Sequence, residues 1–291
     1  MNIGILGAGS FGEKHINVLK DINIFKLQGF HDPDKDVSKE IEKKFQIKYY
    51  ENPDELIKEC DAIDIVSNTS SHYALIDKVI KYQKHIFIEK PICCQKLETE
   101  NILKKTKRYQ PTIQIGHIER YNPTINTGKI DFKNINSIQT KRTGSLNERN
   151  RNTSITLDLM IHDIDLIISN IKSKLIKIEA DGKQEHDTFH NHIDCTLLFE
   201  NGITAQMTAA RKENMKSERI MKLYSNKETL ELDFINKLQK RTHKNNESIL
   251  KCNKHTNPLQ DEFVAFYKAI QNGTKPKVGV VEQNIDVVGA F

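Results

Sequence analysis

Gly7-Ala8-Gly9-Ser10-Phe11-Gly12 decides the fold of this 291-residue chain. The glycines follow Asn2–Leu6, a short apolar run, and open Phe11–Lys20, whose apolar spacing is helical. A glycine-rich turn between strand and helix suits a dinucleotide. The first glycine makes the tight turn, the second admits the pyrophosphate to the backbone, and the third lets helix and strand pack closely. Free N–H groups at the helix N-terminus then face the anion. Such turns are common, and Asp32 sharpens the signal. It stands 32 − 12 = 20 residues past the last glycine, at the end of the next apolar run, where a carboxylate accepts from ribose hydroxyls and repels a 2′-phosphate. NAD is the expected cofactor, with His31 and Lys35 leaving some room for NADP.

Outward from that turn, strands are expected at Phe25–Phe30, Ala62–Val66, His85–Ile88 and Thr112–Ile115. Helices are expected at Asp34–Phe45, Ser71–Tyr82 and Leu97–Tyr109. This alternation builds βαβ units around a parallel sheet, an α/β dinucleotide-binding (Rossmann) domain over residues 1–117. Beyond it the rhythm changes. One helix is expected at Thr156–Ile171, then strands at Leu175–Ala180, Ile193–Phe199, Ile203–Ala210, Ile220–Ser225 and Thr229–Phe234, with a hairpin cue at Glu200-Asn201-Gly202. Residues 118–291 read as an α+β domain with a large, mainly antiparallel sheet, ending in a helix at Pro258–Gln271.

Composition narrows the function. Net charge is 44 − 39 = +5, spread along the chain, so no nucleic-acid partner is demanded and anionic small molecules fit as well. No apolar run approaches the ~18 residues of a membrane span, and the N-terminus lacks a signal-peptide pattern. The five cysteines form no C-x-x-C pair and no even framework, which makes a reducing cytoplasm the default. His190 and His192, with His186 nearby, lack a second ligand cluster, so no metal is expected. Cys93 and Cys94 lack an activating base.

Two constellations can carry chemistry. Glu89-Lys90-Pro91 closes the fourth strand at the carboxyl edge of the sheet, where α/β folds place ligands. A lysine there can hold a reacting oxygen, and it can equally be a solvated strand-end lysine. Asp158 and His162 are four apart on the expected helix and share a face, the carboxylate setting the imidazole tautomer for proton transfer. The same spacing also stabilises an ordinary helix surface. Asp165 reads as structural.

In order along the chain, GAGSFGEKH with His15, the acid at Asp32, Ser67–His72, Glu89-Lys90-Pro91 and Asp158-x-x-x-His162-x-x-Asp165 together resemble the Gfo/Idh/MocA family of NAD(P)-dependent oxidoreductases. The resemblance implies that Lys90, Asp158 and His162 are catalytic, the histidine serving as acid/base. It implies a cofactor site of Gly7, Gly9, Ser10, Phe11, Gly12, Asp32, Ser67, Asn68, Thr69, His72, Glu89 and Lys90. Asn68 departs from the proline usual at its position. Gly116–Pro123 and Leu157–Leu166 resemble the family branch that oxidises the 3-hydroxyl of UDP-N-acetylglucosamine ahead of an aminotransferase in lipid A precursor synthesis. That implies substrate contacts from His117, Arg120, Tyr121, Arg149, Arg151, Asp158 and His162. Arg120, Lys141, Arg142, Arg149, Arg151 and Arg211 could each supply donors to a diphosphate. A homodimer or homotetramer through the C-terminal sheet is implied as well. An inositol or free sugar as substrate, or a nucleotide-sensing member without turnover, are the alternatives.

Overall fold

Five short strands form the first sheet, all but the edge strand β2 largely buried: β1 (Asn2–Leu6), β2 (Lys26–His31), β3 (Ala62–Ile65), β4 (His85–Glu89) and β5 (Ile113–Gly116). The computed structural model describes residues 1–128, 130–151, 153–183, 189–244, 246–252 and 256–280. The strands are parallel in the order β2-β1-β3-β4-β5, so the chain leaves β1 in one direction for β2 and returns on the other side for β3. The carboxyl ends of β1 and β3 therefore flank the switch point where such sheets bind ligands. Connecting helices are α1 (Ser10–Asp21), α2 (Lys35–Phe45), α3 (Pro53–Glu59), α4 (Thr69–Lys81) and α5 (Lys96–Thr106). Asp34 caps α2 by accepting from the Asp36 and Val37 N–H groups.

The second sheet has the order β13-β12-β11-β10-β6-β9-β8-β7. Its strands are β6 (Ile135–Ser145), β7 (Leu175–Lys183), β8 (His192–Phe199), β9 (Thr204–Lys212), β10 (Glu218–Ser225), β11 (Thr229–Asp233), β12 (Leu238–His243) and β13 (Asn246–Lys251). All neighbours are antiparallel except β6 and β9, which run parallel from Ser137↔Thr204 to Ser145↔Lys212. Along β8 and β9 burial alternates: Ile193, Cys195, Leu197, Ala205, Met207 and Ala209 point inward. The opposite face is polar and bonded across strands, with Gln139 donating to Gln206, Tyr224 to Gln139 and Thr208 to Asp194. Short helices α6 (Pro123–Asn126) and α7 (Glu148–Arg151) lie in the connections, followed by α8 (Ile161–Asn170).

Among the described residues, Met1–Ile118 forms one compact unit together with residues 257–280, and Glu119–Thr256 forms the other. The final helix, α9 (Pro258–Asn272), assigned above to residues 118–291, thus packs in the first unit instead. Its apolar stripe is the reason. Leu259, Phe263 and Phe266 join the core of Ile3, Ile5, Ile16, Leu19 and Phe87, and Phe263 stacks on Phe87 with centroids 4.6 Å apart.

Candidate active site

The turn after β1 is built as its sequence requires. Gly7 has φ +106°, and a Cβ on it would stand 2.7 Å from the Ser67 nitrogen. A Cβ on Gly12 would stand 2.4 Å from the Gly7 carbonyl oxygen, so glycine alone allows the helix this close. A Cβ on Gly9 would meet nothing within 4 Å, and Gly9 leads α1 without a side-chain cap. Open space before uncapped N–H groups fits a pyrophosphate. Asp32 holds the turn to β2: Oδ2 accepts the Ala8 N–H at 2.7 Å and Oδ1 accepts the Asp34 N–H at 2.9 Å. Ser10 begins α1, and Phe11 beside it is exposed, with Lys14 Nζ 4.5 Å from its ring centroid.

After β3, Asn68 precedes α4, Thr69 begins it, and the Ser67 hydroxyl meets the Ser71 hydroxyl at 2.7 Å. His72 is buried, with Nδ1 2.9 Å from the Pro91 carbonyl and Nε2 3.1 Å from the Ser67 carbonyl. It thereby ties the β3 and β4 ends together, and burial pulls its pKa down. Lys90 follows directly on β4 and is half-buried. Glu89 reaches back to His15 of α1, which also contacts Asp64 of β3. Asp64, a charge in the middle of the apolar strand Ala62–Ile65, is the sign in the sequence of a buried partner there. Cys93 is buried, its thiol pushed up to about 12 by desolvation, far from a nucleophile's range. His117 lies buried just past β5.

In the other unit, the helix expected at Thr156–Ile171 begins with a π-helical turn, Thr156–Met160, before continuing as α8. Such turns recur at functional sites. Asp158 lies on the turn and His162 on the first turn of α8, both half-buried. Asp158 Oδ2 accepts from Arg211 Nη2. Arg211, 5% exposed at the end of β9, also donates from Nη1 to the carbonyls of Asn150 and Thr153, each at 3.0 Å. Desolvation lowers the pKa of Arg211, with Asp158 opposing it. The spacing that offers Asp158 to the imidazole carries no sign of its guanidinium partner, because Arg211 is 53 residues away.

Several of the basic side chains read as diphosphate donors hold carboxylates instead. Arg120 Nε donates to Asp165 Oδ2 at 2.6 Å in a two-pronged pair. Asp165 is buried. Arg142, 1% exposed, donates to Asp163 and Glu119 in the core, which corrects its reading as a ligand donor: a buried β6 position leaves its fork no route to a diphosphate. Lys141 pairs with Glu218 at 2.6 Å. Arg151 is 3.7 Å from Glu213, with both side chains exposed, and Arg149 lies beside it in α7. Tyr121 is buried. His190 precedes β8, and His192 within it meets Asp194 at 2.8 Å. His186 lies outside the described residues. Among the described residues no three His, Cys, Asp or Glu side chains are grouped to hold a metal ion, and no helix is long and apolar enough to cross a membrane.

The glycine turn, its acid and the lysine at the end of β4 define a nicotinamide-dinucleotide oxidoreductase. Residues 1–117 match the model of the Gfo/Idh/MocA oxidoreductases, described as an NAD-binding Rossmann fold. Among curated proteins it is 24% identical over 237 residues to a UDP-N-acetylglucosamine 3-dehydrogenase of Acidithiobacillus ferrooxidans, covering 81% of this chain and 75% of that one. It is 27% identical over 194 residues to a myo-inositol 2-dehydrogenase of Thermotoga maritima, covering 62% and 58%. Among solved structures, the A. ferrooxidans enzyme superposes with a TM-score of 0.91 at 23% identity, over 99% of this chain and 95% of that one. A dehydrogenase from Clostridium difficile gives 0.86 at 19% identity, over 100% and 96%. These superpositions show a shared fold.

Proposed function

We propose that this oxidoreductase is an NAD-dependent dehydrogenase of a sugar hydroxyl, and that its substrate is the 3-hydroxyl of UDP-N-acetylglucosamine. The carrying observation is Lys90 at the carboxyl end of β4, in the sheet whose β1 and β2 ends hold the glycine turn and Asp32. Likeness to the A. ferrooxidans enzyme over 75% of its length supports the substrate. The bound nicotinamide supplies the acceptor for the hydride that leaves C3 as the ketone forms. The Lys90 ammonium donates to the substrate oxygen and stabilises its developing charge. His162 takes the hydroxyl proton. Asp158 favours the imidazolium so formed, with its own charge moderated by Arg211. Arg151 and Arg149 serve the diphosphate.

The same reading places the 3-keto product ahead of an aminotransferase in lipid A precursor synthesis, in the cytoplasm. It gives the protein a homodimer or homotetramer through the polar face of the eight-stranded sheet. A second reading, an inositol or free sugar as substrate, is favoured by the T. maritima likeness.

NADH fluorescence separates the two. Signal with UDP-N-acetylglucosamine and none with free N-acetylglucosamine is the expected result. Signal with myo-inositol, unaffected by free UDP, turns the assignment to the second reading. His162→Ala is expected to lose about a hundredfold or more in turnover while still binding NAD. Wild-type turnover in that variant removes the acid/base role.

A further inference from the structure

A buried histidine, His15, lies between the carboxyl groups of Asp64 and Glu89, the residue before Lys90, and the reaction proposed above makes no use of it. His15 is 1% exposed and Asp64 is 0% exposed. His15 Nδ1 lies 2.8 Å from Asp64 Oδ2, and Nε2 lies 3.3 Å from Glu89 Oε1. Burial pushes the Asp64 carboxyl up and His15 opposes it; with both carboxylates ionised, the ring donates to each only as an imidazolium with two N–H donors. Phe87 and Phe263 close its surroundings through edge contacts, at 5.9 and 5.5 Å between centroids.

Glu89 is fixed from two more sides. Its Oε2 accepts the Lys90 backbone N–H at 3.2 Å. Its carboxylate also fills the space beside Gly116, where a Cβ would stand 2.7 Å from Oε1 and 3.0 Å from Cδ. Three apolar residues would join α1 to β3 and β4 without the desolvation cost of buried charges. What this trio adds to adhesion is a carboxylate with one defined position.

We propose that His15 is a positioning residue for Lys90: its imidazolium, clamped by Asp64, holds the Glu89 carboxylate, and that carboxylate fixes the Lys90 amide at the end of β4. The proposal rests on the reading of Lys90 as the group that binds the reacting oxygen. The titratable groups around the trio are Lys90 next to Glu89 and His72 of α4, which feels the Glu89 charge. Burial alone would lower the His15 pKa, but Asp64 and Glu89 outweigh it and raise it from 6.5 to about 10.

Gly116→Ala is the sharpest test, because it keeps every charge and displaces only the Glu89 carboxylate. Both Gly116→Ala and His15→Asn are expected to lower kcat about tenfold, with KM for NAD changed less than about threefold. The alkaline limb of kcat should differ in position between wild type and His15→Asn. Nitrogen-15 spectra of His15 should show both ring nitrogens protonated at neutral pH. A neutral ring, or wild-type kcat in both variants, overturns the proposal.

Two further readouts keep the test independent of folding and of the functional reading. Thermal midpoints separate a folding defect, and should one befall Gly116→Ala, Glu89→Gln takes its place with the same expected loss of kcat. If the wild-type protein oxidises no sugar or inositol, the reading of Lys90 fails by itself. Positioning is then read from acylation of Lys90 by acetic anhydride, relative to exposed Lys104, by peptide mass spectrometry. A rate altered by His15→Asn supports the clamp, and an unaltered rate overturns it.

Discussion

Each unit of the molecule buries a basic side chain between two carboxyl groups, and the two clusters differ in what that side chain can do. In the first unit His15 bridges Asp64 and Glu89. In the second, Arg142 donates from Nη2 to Asp163 at 2.8 Å and from Nη1 to Glu119 at 3.1 Å, while Asn122 donates to the other Glu119 oxygen at 2.8 Å. Burial alone would lower the Arg142 pKa, but its two carboxylates hold it above even the ordinary guanidinium value. A guanidinium stays charged at any pH a protein survives, so the Arg142 cluster is a permanent joint between β6, α8 and the segment after β5. An imidazolium is charged only while its carboxylates keep it so. Equal burial therefore gives a fixture in one unit and a titratable clamp in the other.

The largest effect expected from breaking this comparison is in the second unit. Arg142→Ala leaves Asp163 buried without its cation and Glu119 with only Arg219, 3.4 Å away, and urea unfolding should show a loss of about 3–5 kcal/mol. A loss within about 0.5 kcal/mol, as at an ordinary surface position, would show that the cluster is no joint. The next effect is a pH dependence confined to the first unit. The folded pKa of His15 is raised from 6.5 to about 10, so its contribution to stability is complete below about pH 6.5 and is lost as pH rises to about 10. The thermal midpoint of the wild type should fall across that window, and that of His15→Asn should be flatter. Equal slopes would mean that the imidazole is neutral throughout. The smallest effect sets a neutral scale for both clusters. Asn257 caps α9 by accepting from the Leu259 and Gln260 N–H groups, and Asn257→Ala should cost about 1 kcal/mol with no pH dependence between 6 and 10.

The first sheet was legible because parallel strands buried on both faces leave continuous apolar runs. Asn2–Leu6 coincides with β1, and the other four strands differ from expectation by a residue or so at their ends. The helix Pro53–Glu59 was missed, being only seven residues long. In the second sheet, β6, β12 and β13 escaped notice for a different reason. Ile135–Ser145 carries Asn136, Gln139 and Lys141 on a polar face and buries Arg142 and Thr140 on the other, so its pattern is polar on both sides. Every residue of β13 is exposed, and no apolar periodicity marks it. The candidate site divides in the same way. The glycine turn, Asp32 and Lys90 are local signals that a short stretch can carry. The partners that hold Asp158, Asp163, Asp165 and His15 are 53, 21, 45 and 49 residues distant, beyond any spacing rule.

The π turn at Thr156–Met160 has a consequence for engineering this chain. A π turn is an α-helix with one residue too many, so it acts as a phase shift within a single rod. Deleting one residue there would let regular i→i−4 bonding resume, and each residue on an α-helix accounts for about 100° of rotation. Asp158 would swing round the axis away from Arg211 while the rest of α8 kept its packing. The surplus residue sets the angular offset between the carboxylate and the imidazole that follows it.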